Sequence, residues 1–212
     1  MFIELLLALL ETLLMVLASG FIACLLGLPL GVLLSITRKN QIWENVAAHN
    51  ILAIIVNATR SVPFIILMIA ITPFTRLIMG TSIGVFATLV PLSIAAIPFF
   101  ARTVETALEE VPNGLIETGL SMGATQMQII RKVLIPEAQI GIISGVTLTL
   151  VSLVGYSAMA GAIGGGGLGA LAFHYGYQRF DTSIMVSTVL ILILLVQMIQ
   201  MVGDYVVSKL QH

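Results

Sequence analysis

Long uncharged apolar stretches alternate with short polar ones along the chain. Five of the stretches, residues 12–36, 51–72, 83–101, 138–160 and 182–203, are each close to the ~20 residues that a bilayer helix needs. The second is the least clean, because it carries Asn57 and Arg60 with Pro63 close behind. An unbroken helix is not expected there. The pattern predicts an all-α integral membrane protein with about five transmembrane helices, forming a single transmembrane domain over residues 1–212. The N-terminal Met1-Phe2-Ile3-Glu4 lacks the basic region of a cleavable signal peptide, so the first span is expected to stay in place.

Composition agrees. Apolar residues make up 58% of the 212 and charged residues only 9%, against about 25% in soluble domains. With 9 Lys+Arg against 10 Asp+Glu there is no basic surplus for nucleic acid. Cys24 has no partner for a disulfide, and His49, His174 and His212 are too scattered for a metal site. Placing the N-terminus outside puts Arg38, Lys39, Arg102, Arg131, Lys132 and Lys209 on the cytoplasmic side and leaves only Arg76 and Arg179 outside. The excess of basic residues inside favours that orientation, with the C-terminus cytoplasmic.

Charge is concentrated between the third and fourth spans, where residues 102–137 hold Arg102, Glu105, Glu109, Glu110, Glu117, Arg131, Lys132 and Glu137. Such a segment is suited to meet water or a protein. Pro112-Asn113-Gly114 reads as a turn and helix start, Leu115-Ile116-Glu117 opens an amphipathic stretch, and Gly123 should end it. Thr125 with Gln128 fits a capping box for a second helix. Ile129, Ile130, Val133 and Leu134 follow at helical spacing, and Pro136 is expected to end the helix. The prediction for residues 112–136 is helix, glycine turn, helix. Physics alone also allows a mere connecting loop.

Glu117-Thr118-Gly119, Gly123 and Val133-Leu134-Ile135-Pro136 resemble the EAA signature of bacterial ABC-importer permeases, E-A-A, three residues, G, nine residues, I-x-L-P. Thr118 and Gly119 replace the two alanines, Val133 an Ile and Ile135 a Leu. The wider stretch 111–137, with residues 60–64, 80–84 and 154–159, is similar to the methionine-importer branch, the MetI family. The resemblance implies a multi-pass subunit of the bacterial plasma (inner) membrane. It also implies a homodimer of permease chains, two ATP-binding-cassette ATPase subunits and an external methionine-binding protein. The helix-turn-helix would be the coupling helix, with Glu117 meeting a basic group of the ATPase and Met122, Gly123 and Ala124 forming the turn. This chain has no G-x-x-x-x-G-K-[ST], so it is expected to be no enzyme and to hold no cofactor, with ATP-Mg bound by the partner ATPase. Residues 164–169 satisfy G-x-G-x-x-G without a preceding strand; a flexible outer loop meeting the solute-binding protein is expected instead.

A translocation pathway needs a helix face that lipid would not favour. In the fourth span Gly141, Gly145, Thr149, Ser152, Tyr156 and Met159 fall within about 80° of one another. Close packing explains the Gly141 end, since Gly141-x-x-x-Gly145 suffices for it. Pathway lining is expected at Ser152, Tyr156, Ser157 and Met159, with Met159 from two protomers as outer gate. A cation at bilayer centre costs about 2.5–3.5 kcal/mol, so Arg60 is either a pathway residue or a snorkelling anchor. Pro63 and Pro91 are expected to kink their helices, Glu11 to be interfacial, and Gln197 and Gln200 to bond a neighbouring helix. Two other functions compete: the same machine for another small amino acid, and an ion-coupled secondary transporter. The second lacks its usual repeat and buried carboxylates. An intramembrane hydrolase would need an orienting carboxylate and a nucleophile elbow, and neither surrounds Ser152, Ser157 or His174.

Overall fold

A computed structural model describes residues 2–210, so His212 lies outside the described residues. Among the described residues four helices are long and apolar enough to cross a membrane: α1 (Phe2–Thr37), α5 (Val85–Glu109), α9 (Gln139–Ala160) and α11 (Thr182–Leu210). The fifth candidate is a pair, α2 (Val46–Ser61) and α3 (Phe64–Ala70), apolar enough together but bent by 103° at the break between them. Val62 is forced into extended backbone ahead of Pro63, which caps α3. A short helix α4 (Thr72–Met79) follows and ends at Gly80.

Several expected boundaries change, two of them by eight residues or more. Helix α1 starts at Phe2, not residue 12, and its 36 residues span about 54 Å against a hydrocarbon core of ~30 Å. Helix α5 runs eight residues past the expected end at 101, through both Pro91 and Pro98. Ala101, Val104, Ala107 and Leu108 recur there at helical spacing and are all buried, so packing continues the helix where hydropathy falls off. Arg102, Glu105 and Glu109 are therefore helix residues. Glu105 is only 2% exposed and accepts a bond of 2.7 Å from Arg102 Nη1.

Helix α1 packs along α5, α5 against α9, and α9 against α11. The α1–α5 contact is built on Gly27 and Gly31. A Cβ on Gly27 would lie 2.9 Å from the Ile97 carbonyl oxygen, and one on Gly31 would lie 2.5 Å from that of Ala101. Gly141 and Gly145 play the same part between α9 and α5, where added carbons would meet Ala107 Cβ at 2.6 Å and Thr103 Oγ1 at 2.7 Å. Close packing at that end of the stripe is thus observed. Gln197 and Gln200 differ from expectation, because Gln197 Nε2 bonds Gln200 Oε1 at 3.3 Å on the same helix.

Two large apolar clusters fill the interior, and a small third one at Leu34, Val56 and Ala101 joins α1, α2 and α5. One of the large pair gathers Val32, Ile36, Phe100, Val104, Ile116, Ile129 and Leu134, tying the end of α1 and the end of α5 to the charged segment. The other holds Met15, Val16, Phe64, Met68, Leu92, Leu153 and Leu195 at the opposite end.

Candidate coupling and translocation sites

The charged segment folds as two short helices. Helix α6 (Asn113–Ser121) buries Ile116 and Gly119 and leaves Glu117 exposed. Met122 is 78% exposed, and Gly123 sits at φ 80, a left-handed conformation that favours glycine. The Met122 N–H bonds the Thr118 carbonyl, and the Ala124 N–H bonds that of Gly119, closing the turn. Helix α7 (Gln126–Ile129) has its capping box in full: Gln128 N–H donates to Thr125 Oγ1 at 3.3 Å, and Thr125 N–H to Gln128 Oε1 at 2.8 Å.

Pro136 does not end this helix. Residues 130–134 form a wide turn in which the Ile135 N–H bonds the Ile130 carbonyl, and α8 (Ile135–Glu137) follows with Pro136 in its first turn. Widening the turn shifts the bonding register one residue before the proline, which has no N–H to give. Ala138 then leads directly into α9.

Residues 38–45, between the first two spans, are part of the same site and were missed by the sequence reading. Trp43 Nε1–H donates to Gln126 Oε1, and Gln126 Nε2 donates to the Ile42 carbonyl at 3.1 Å. Arg38 forms an ion pair with Glu109 at the end of α5. A groove of about 420 Å³ runs between the two elements, with Asn40, Gln41 and Ile42 on one wall and Ile116, Glu117 and Leu120 on the other. The available signal was Trp43, the one tryptophan in the chain, whose N–H usually seeks a partner.

The pathway residues separate. Tyr156 is half-buried and stacks on Phe64 with ring centroids 4.7 Å apart. Arg60, the penultimate residue of α2, lies over Phe99 at 5.9 Å. These four side chains line a cavity of about 200 Å³, and Arg60 also borders a cleft of about 630 Å³ with Arg102, Glu110, Glu137 and Ser144. Ser152 is half-buried and bonds the Leu148 carbonyl at 2.9 Å. Met159 is 48% exposed. Ser157 is not brought to either space: it is 1% exposed and its Oγ donates to the Val154 carbonyl. Being one step off the stripe, it faces the protomer interior.

The glycine-rich residues 161–169 are not a free loop. Gly161, Gly165, Gly167, Leu168 and Gly169 are buried in a packed turn leading into α10 (Gly167–Leu171). Glu11 Oε2 accepts from the Gly167 N–H at 2.7 Å, and Thr12 Oγ1 accepts from Leu168 at 2.9 Å. The exposed Glu11 is thus a cap as well as a surface residue.

The sequence profile of the family described as binding-protein-dependent transport system inner membrane component matches residues 27–212. The chain belongs to this family. Within it, the chain is 55% identical over 202 residues to a Vibrio cholerae protein named as a probable D-methionine transport system permease protein MetI, covering 95% of this chain and 90% of the relative. It is 56% identical over 151 residues to the D-methionine transport system permease protein MetI of Escherichia coli K12, covering 71% and 70%. A crystal form of the inward-facing MetNI methionine ABC transporter superposes with a TM-score of 0.98 at 50% identity, over 99% of this chain and 97% of that one. An amino acid ABC transporter solved with histidines shares the fold alone, at 17% identity and a TM-score of 0.80. As an inner membrane component, this transport-family chain is a multi-pass bacterial membrane protein.

Proposed function

We propose that this inner membrane component is the permease of an ATP-driven methionine importer. It would work as a homodimer with two separate ATPase chains and an external methionine-binding protein. The reading draws on the high identity to permeases named for D-methionine transport and on the match to a methionine ABC transporter. The observation that carries it is the folded coupling segment, an exposed Glu117 on a short helix closed by the Gly123 turn. One carboxylate so placed can pair with a basic group of an ATPase and pass on a rigid-body displacement. Nucleotide chemistry, with ATP-Mg, belongs to the partner, since the sequence has no phosphate-binding loop.

In this reading residues 1–212 form one transmembrane domain, with the N-terminus outside and the coupling segment and C-terminus cytoplasmic. Tyr156, Met159, Ser152 and Arg60 border the pathway, and Ser157 supports its wall from behind. The deciding experiment reconstitutes the chain with its ATPase and binding-protein partners and follows uptake of labelled methionine. ATP-dependent uptake should collapse in Glu117→Ala while the protein stays folded. Unchanged uptake in that variant would remove Glu117 from the coupling role.

A further inference from the structure

The loop at residues 38–45 is folded back on the helix it leaves. Trp43 N–H bonds the Ile36 carbonyl at 3.0 Å and Asn45 N–H that of Thr37 at 2.9 Å. Asn40 takes a left-handed φ of 64, its N–H held by Glu44 Oε2 at 3.0 Å. Asn45 then caps α2 through Oδ1, which accepts from Ala48 N–H at 3.1 Å. The loop is therefore bonded to both α1 and α2 and moves with them.

From that base it holds the coupling segment at Gln126 and the end of α5 at Glu109. The Gln126 side-chain amide is engaged at both ends, its oxygen by Trp43 and its nitrogen by Ile42. Gln126 is the first residue of α7, two positions beyond the coupling turn. The Arg38–Glu109 pair grips the end of α5, just ahead of α6. That pair is solvent-facing and contributes little. The amide is held at both ends, which fixes its direction as well as its position.

We propose that residues 38–45 form a strap that passes displacement of the coupling segment to α1 and α2, with Trp43 and Gln126 as its positioning residues. By chain connectivity alone, a push on Glu117 would reach only α5 through residues 110–112 and α9 through α7 and α8. The apolar cluster at Ile36, Ile116 and Ile129 already packs α1 against the segment; the strap adds a polar link to the end of α1 and, through Asn45, to the bent α2–α3 pair, which carries Arg60 and Phe64 at the 200 Å³ cavity. The inference rests on the importer reading above and adds to it which helices are driven.

The test uses the complete reconstituted transporter and measures methionine taken up per ATP hydrolysed. Trp43→Phe removes the indole donor and keeps a ring; Gln126→Leu removes both bonds. Each should lower uptake per ATP several-fold while hydrolysis continues, and the double variant should be no worse than Gln126→Leu alone, because that variant already breaks the bond Trp43→Phe removes. Gln126→Glu keeps the acceptor for Trp43 and should recover part of the ratio. On the isolated chain, the emission of its single tryptophan should shift in Gln126→Leu. An unchanged ratio in both single variants would overturn the strap. So would a proportional fall in uptake and hydrolysis, which marks lost assembly alone. Absence of ATP-dependent uptake in the wild-type complex would instead defeat the importer reading.

Discussion

Single residues decide how closely the spans approach. Gly27 and Gly31 let two α5 carbonyls press against α1, and no flexible side chain is available there to give way. Gly31→Ala should therefore cost about 1–3 kcal/mol through overpacking, seen as a lower thermal unfolding midpoint in detergent. The helix propensity gained by removing a glycine, about 1 kcal/mol, works in the opposite direction. At Gly114, where a Cβ would meet nothing within 4 Å, only that gain remains. Gly114→Ala should leave the midpoint unchanged or raise it. Equal behaviour of the two variants would show that the α1–α5 contact is looser than the geometry requires.

At the scale of elements, sequence was informative wherever a local rule acts alone. The span cores, the Thr125–Gln128 capping box, the Gly123 turn and the break at Pro63 follow from hydropathy, capping and proline sterics. Legibility fails where partners distant in sequence decide. Pro136 reads as a stop, yet the wide turn before it carries the helix on. Residues 164–169 read as a loose loop because nothing local announces that Glu11 and Thr12, some 156 positions away, will bond their N–H groups. Trp43 and Gln126 lie 83 positions apart and share no local pattern either. The glycine turn offers a direct check. Thr12 is 1% exposed, and Thr12→Val would keep its shape while leaving the buried Leu168 N–H unpaired, a loss of about 1–3 kcal/mol. Amide exchange across Gly167–Leu171 should accelerate about tenfold or more, with α11 unaffected.

Across the whole molecule, the two large apolar clusters give the protomer two differently built ends. One locks the coupling segment to α1 and α5, so a displacement there moves packed helices as a body. The other holds α1, α3, α5, α9 and α11 together, and beside it Met159 remains 48% exposed in line with Ser152 and Tyr156. A long, unbranched thioether at that place can close against a second copy and withdraw at little conformational cost. In the importer reading, Met159→Ala should raise substrate-independent leak or basal ATP turnover in reconstituted vesicles. Ser157→Ala, two residues away, is the control. Its hydroxyl faces the Val154 carbonyl inside the protomer, so its loss should lower stability by about 0.5–1.5 kcal/mol and leave the leak alone. If Met159→Ala changes neither leak nor turnover, the outer closure does not depend on this side chain, and Tyr156, stacked on Phe64 at the 200 Å³ cavity, becomes the residue to test.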